Sequence, residues 1–175
     1  MIKKLLFPII TLVASVVVLI VAALGLQNVA IKNAQKEHEK VLNTLLPGNT
    51  FVLEEYVGDD ENIKSVHKVE TGYVIETVVY GYADNIRMMI AVDNSGEVKG
   101  IAILEIRETF GLGLRALRDT KFMFQFLGSS EILEVGSSVD AMSGATVTSK
   151  AITKAVNSAI AYVTGADIDS GASEW

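Results

Sequence analysis

Between Leu5 and Leu26 the chain reads LLFPIITLVASVVVLIVAALGL, 22 residues without a charge. As a helix this run extends about 33 Å, enough to cross the hydrocarbon core of a bilayer. It constrains the rest of the molecule more than any other feature, because a domain that follows it is tethered. Pro8 falls in the first turn, where its missing N–H is no loss. The competing reading is a cleaved signal peptide. The run is longer than a usual signal core and no clear A-x-A site follows it, so a retained anchor is favoured. Lys3 and Lys4 lie on one side, and Lys32, Lys36 and Lys40 on the other. This near balance leaves the orientation open on charge alone.

Composition narrows the chemistry. A chain of 175 residues has room for one domain and an appendage. It has no cysteine, which excludes disulfides, iron–sulfur ligation by the chain and thioether-linked haem. His38 and His67 are the only histidines, and their contexts are unrelated, so no metal site is expected. The net charge is −6, and since residues 1–27 carry only two lysines, the rest carries −8. An acidic body of this kind argues against nucleic acid and against basic-patch attachment to anionic lipid.

Periodicity divides the chain into an anchor (1–27), a juxtamembrane helix (28–48), a domain (49–165) and a polar tail (166–175) expected to fray. In the juxtamembrane segment Ala34, His38, Val41, Leu42, Leu45 and Leu46 form one stripe, ended by Pro47-Gly48. From Phe51 the pattern changes. FVLEEYV, NIKSVHKVE, GYVIETVVYGY, NIRMMIAVD and EVKGIAILEI read as strands, with Asn94-Ser95-Gly96 as a hairpin turn between the last two. Short connections favour an antiparallel sheet, and flanking helices make the class α+β. RETFGLGLRAL then reads as a glycine-punctuated loop, and Asp119 to Leu127 as a short helix stopped by Gly128. The stripe Phe122, Met123, Phe126 and Leu127 is read as core. A last helix carries Ile152, Ala155, Val156, Ala159, Ile160 and Val163 on one face and closes at Gly165.

In front of that helix stands DAMSGATVTS, where Ser143, Thr146, Thr148 and Ser149 crowd around Gly144. Thr148 or Ser149 could cap the helix by accepting from its free N–H groups. Capping accounts for one or two hydroxyls, not four. A helix N-terminus beside a small-residue turn also suits a phosphate, and one hydroxyl could be a site of modification. On the residues alone Asp140 is as readily an ordinary turn or capping residue as a functional one.

Asp140-Ala141-Met142-Ser143-Gly144-Ala145-Thr146 resembles the D-x-x-S/T-G-A-T flavinylation motif of FMN-binding domains. Glu108-Thr109-Phe110-Gly111-Leu112-Gly113 resembles the E-T-P-G-L-G loop of the G subunit of the Rnf electron-transport complex, with Phe110 in place of proline. Gln125-Phe126-Leu127-Gly128 is similar to the Q-F-x-G that follows in that family, and Gly81-Tyr82 before Ile86 to its G-Y-x-x-x-I strand. A related family is the C subunit of the sodium-pumping quinone reductase.

The resemblance implies one covalent FMN, joined through its phosphate to Thr146 by a flavin transferase that takes it from FAD. Ser143, Gly144, Ala145 and Thr148 would surround the attachment, Asp140 would belong to the sequence the transferase reads, and Glu108, Thr109, Gly111, Leu112 and Gly113 would lie near the isoalloxazine ring. It further implies a single-pass subunit of the cell (inner) membrane, its domain on the extracytoplasmic side, relaying electrons among the other subunits of an ion-translocating Rnf-type complex. The chain has no nicotinamide fingerprint and no proton-transfer dyad, so no catalytic residue is assigned and a carrier is expected rather than a self-sufficient enzyme. The rival reading, from a different class, is an anchored extracytoplasmic binding module or sensor for a phosphorylated ligand.

Overall fold

The computed structural model describes residues 2–168. Helix α1 runs unbroken from Ile2 to Leu45. Between Leu12 and Leu26 its large apolar side chains are exposed, as in Leu12, Val18 and Leu26. It is the one helix, among the described residues, long and apolar enough to cross a membrane. From Val41 onward the chain forms a second compact unit.

That unit is built on a five-stranded antiparallel sheet: β1 (Val52–Glu54), β2 (Ile63–Val69), β3 (Gly72–Tyr80), β4 (Asn85–Asp93) and β5 (Val98–Ile106), in the spatial order β1-β2-β3-β4-β5. Each strand pairs with its neighbour in sequence, so short turns suffice for every connection. The expected α+β class with a mainly antiparallel sheet is what the chain adopts. β1 is shorter than the alternation in FVLEEYV implies, pairing with β2 only from Val52 to Glu54. As an edge strand it has one partner, and Val57 and Gly58 lie beyond the ladder.

Alternation along β3 and β4 sends side chains to two buried faces. Ile75, Val79, Ile86, Met88, Ile90 and Val92 face the main core. Helix α3 (Thr146–Thr164) covers that face with Ile152, Ala155, Val156, Ala159 and Ile160, all fully buried. Ile152, Val156 and Ile160 each contribute about 1.5–3 kcal/mol on burial. The other face holds Val74, Met89 and Ala91 against Leu42, Leu45, Leu46 and Phe51. This is why the strands read as near-continuous apolar runs. The same face also buries Glu76, which pairs with Arg87 Nε and accepts from the Ser65 hydroxyl at 3.0 Å.

The segment after β5 is more structured than its glycines indicate. It holds a 3-10 turn, Gly113–Leu117, and helix α2, Thr120–Phe124. Asp119 caps α2 by accepting from the Phe122 N–H at 3.0 Å, and the chain turns away at Gly128. Phe122 and Phe126 are buried and stack edge to face at 5.2 Å, and Met123 packs half-buried against the same core, whereas Leu127 is 40% exposed and leaves the expected stripe. The polar tail lies largely outside the described residues, which end at Ile168.

Candidate functional site

Three segments meet at the N-terminal end of α3: the β3–β4 turn, the loop after β5, and the turn before α3. They enclose a cavity of about 520 Å³ lined by Tyr82, Glu108, Thr109, Leu112, Gly113 and residues 144–148. That volume lies within the usual range for small-molecule and cofactor sites.

Glu108 joins the three segments. It is only 9% exposed. Oε1 accepts from the Tyr82 N–H at 2.7 Å and the Ala83 N–H at 3.2 Å, and Oε2 accepts from the Thr148 hydroxyl at 3.2 Å. The two glycines beside it exist for its sake. A Cβ on Gly81 would collide with Oε1, and one on Gly113 would lie 2.7 Å from Oε2 and 2.6 Å from Thr148 Oγ1. Gly113 is therefore required by close packing rather than by its own backbone angles.

Helix α3 starts at Thr146, three residues earlier than a cap at Thr148 would place it. Ala145 occupies the capping position, and no side chain caps the helix. The expectation that Thr148 or Ser149 caps α3 is therefore corrected. Both sit inside the first turns, buried, with their hydroxyls committed elsewhere. Thr148 donates to Glu108, while Ser149 donates to the Ala145 carbonyl and accepts from the Met142 N–H, both at 2.9 Å. Thr146 remains exposed at the edge of the cavity as the first helical residue. Gly144, at φ 73°, makes the tight turn just before it.

Glu108, Thr109, Leu112, Gly113, Gly144, Ala145, Thr146 and Thr148 thus come together around one cavity. Ser143, Gly111 and Asp140 are exposed and do not line it. Asp140 is held by its backbone: its N–H donates to Gln125 Oε1 at 2.8 Å, and its carbonyl accepts from Gln125 Nε2 at 3.2 Å. Gln125 clamps the motif's first residue while its neighbour Phe126 is buried in the core. Tyr82 and Val147 line the cavity without having stood out as site residues, although Tyr82 belongs to a segment already singled out.

The profile of the FMN-binding domain family matches residues 81–161, which include every residue lining the cavity. The G subunit of an ion-translocating oxidoreductase complex from Aliivibrio fischeri (strain MJ11) is 30% identical over 148 residues, covering 78% of this chain and 70% of the relative. The chain belongs to the G-subunit family of Rnf-type ion-translocating oxidoreductases. Two further G subunits are similar over shorter stretches. One, from a proton-translocating ferredoxin:NAD(+) oxidoreductase complex of Clostridium ljungdahlii, is 37% identical over 99 residues, 53% of each chain. The other, from a Na(+)-translocating complex of Acetobacterium woodii, is 32% identical over 118 residues, 62% of this chain and 54% of the relative.

The cavity suits the group for which this family is named. It couples an uncapped helix N-terminus, whose N–H groups carry partial positive charge, to an exposed hydroxyl at the same point. Its remaining wall combines the apolar Leu112 and Val147 with Tyr82, Thr109 and Gly113, a surface suited to a flat aromatic body.

Proposed function

We propose that this chain is a membrane-anchored electron carrier of an ion-translocating oxidoreductase complex, holding one FMN as a phosphoester on Thr146. The observation that carries this reading is the position of Thr146: an exposed hydroxyl at the uncapped start of α3, on the lip of the cavity. In the attachment step the Thr146 oxygen forms a bond to the FMN phosphorus of FAD. The phosphoanhydride bond breaks, AMP leaves, and the hydroxyl proton is released. A flavin transferase catalyses this exchange.

When bound, the flavin supplies the redox chemistry. The chain does the rest. Gly144 and Ala145 would bring backbone close to the phosphate, and the first turn of α3 would offset its charge. Leu112 and Val147 present apolar walls, and Thr109 offers a hydroxyl on the loop side. The covalent link keeps the cofactor in place where no soluble FMN replenishes it. Asp140, Ser143 and Gly111 lie off the cavity, so their part is in recognition by the transferase and in shaping the loops.

The division proposed is an anchor (1–27), a juxtamembrane helix (28–48), an FMN-binding domain (49–165) and a polar tail (166–175). The amino terminus lies in the cytoplasm and the domain on the far side of the cell membrane, a placement supported by the absence of thiols. The other subunits of the complex are its electron-transfer partners. Reporter fusions at the C-terminus test the sidedness, and a cytoplasmic signal overturns it. Intact mass of protein from a host with the transferase should show one added FMN, and peptide mapping should place it on Thr146. A mass without flavin, with non-covalent retention of a phosphorylated ligand, would favour the binding-module reading.

A further inference from the structure

The Glu108 carboxylate is a buried charge in the wall of the cavity, and every partner that reaches it is neutral: two backbone N–H groups and one hydroxyl. Among the described residues no cation forms an ion pair with it. Oε1 faces two backbone N–H donors and Oε2 a hydroxyl, a set of partners that a carboxylate can accept from at both oxygens. Structural needs alone do not call for a charge here, because a carboxamide of the same shape could tie the same three segments. A buried, unpaired charge is costly, and such groups concentrate at functional sites.

We propose that Glu108 is a positioning residue with an electrostatic role: its fixed negative charge holds down the electron affinity of the flavin in this cavity, with Thr148 moderating it. This rests on the reading of the cavity as the flavin site. Reduction adds two electrons to the ring, together with one or two protons from solvent. A negative charge in the cavity wall opposes the electrons and favours the second proton. It therefore lowers the midpoint potential and keeps the reduced ring fully protonated to higher pH. The Thr148 hydroxyl, donating to Oε2, spreads part of the charge and weakens the effect. An electron carrier benefits from such an arrangement, since it sets the driving force without touching the attachment point.

The test uses full-length protein in detergent, made in a host with the transferase, with covalent FMN measured by intact mass and the midpoint potential by spectroelectrochemical titration across pH. Glu108→Gln retains the shape: its oxygen accepts from Tyr82 and Ala83, and its NH2 donates to the Thr148 oxygen. It should stay flavinylated, and its reduced-to-oxidised ratio at a fixed poise should rise on the order of tenfold, about 30 mV for a two-electron couple. The pH at which reduction changes from two protons to one should fall. Thr148→Val removes the donor and should move the potential in the opposite direction. That opposite sign is a signature a merely structural role does not produce. If Glu108→Gln does not fold, the fall in Thr148→Val alone supports the proposal, and an unchanged potential there overturns it. Equal potentials in both variants and the wild type, or shifts of the same sign, also overturn it. Wild-type protein without covalent FMN would instead strike at the proposed function, a separate and recognisable outcome.

Discussion

The two ends of α3 are built by opposite rules. At its C-terminus several devices of helix termination are present. Gly165 adopts φ 69° and donates to the Ala161 carbonyl, Thr164 donates to the Ile160 carbonyl, and the Ala166 N–H donates to the Thr164 hydroxyl. Thr164 also packs against the β4–β5 turn at Gly96, and the rings of Tyr56 and Tyr73 flank Tyr162. At its N-terminus the local hydroxyls are plentiful, yet none caps the helix. They bind Glu108, Met142 and Ala145 instead. Forgoing a cap costs about 0.5–2 kcal/mol. The difference teaches where function lies: one end is optimised for stability, and the other leaves its donors available at the cavity.

Breaking the functional end should give the largest effect. Thr146→Ala should abolish covalent flavin completely while changing unfolding free energy by no more than about 0.5 kcal/mol, because an exposed first-turn hydroxyl packs little. Intact mass and urea unfolding check both halves, and full labelling of this variant would place the attachment elsewhere. Next in size is Gly113→Val, which drives a side chain into Glu108 and Thr148. It should destabilise by about 1–3 kcal/mol and shift the flavin potential as Glu108 is displaced. A normal melt would show that the three-segment junction is softer than its geometry indicates.

The stability end sharpens the contrast. Gly165→Ala should cost about 1 kcal/mol, because alanine resists the left-handed conformation, and should leave flavin content and potential unchanged. Any change in potential would mean that the two ends communicate along the helix. The smallest effect belongs to the β4–β5 turn beside that end. The Asp93 carboxyl is held well below its ordinary range, chiefly by the Ser95 hydroxyl, with help from Lys99 and the Ser95 and Glu97 N–H groups, against partial burial. A depressed folded value contributes stability above the unfolded value of about 3.9, and that stability is lost as pH falls through and below it. Between about pH 5 and pH 2 the wild type should therefore lose more stability than Asp93→Asn, with equal flavin loading. Parallel acid profiles would show that the turn carries no linked proton.

The sheet was legible because its signal is local. Alternation and turn residues located all five strands, and Asn85–Asp93 agrees to the residue. β1 was overread because alternation in FVLEEYV cannot report how little of an edge strand finds a partner. The site was legible in its residue types but not in its connections. Thr148 and Ser149 resembled caps, since a hydroxyl near a helix start is capping-competent from sequence alone. Their actual partners depend on where Glu108, 40 residues from Thr148, is placed by β5. Gly81 and Gly113 appear as ordinary turn glycines until the carboxylate between them is seen. Gly165 ending α3 was legible because its hydrogen-bond partner, the Ala161 carbonyl, lies within one turn.

The order of the sheet also sets a timetable for synthesis. Every strand pairs with its sequence neighbour, so hairpins can close as the chain emerges. The cavity has no such early form, since α3 supplies much of its wall and follows the last strand by 39 residues. Until α3 docks, Ile75, Ile86, Met88 and Ile90 lack their cover, leaving one sheet face adhesive. A nascent chain halted before Thr146 would carry all five strands, no flavin site and a surface prone to aggregation. Completion of the last helix is thus the step at which the domain becomes both soluble and able to receive its cofactor.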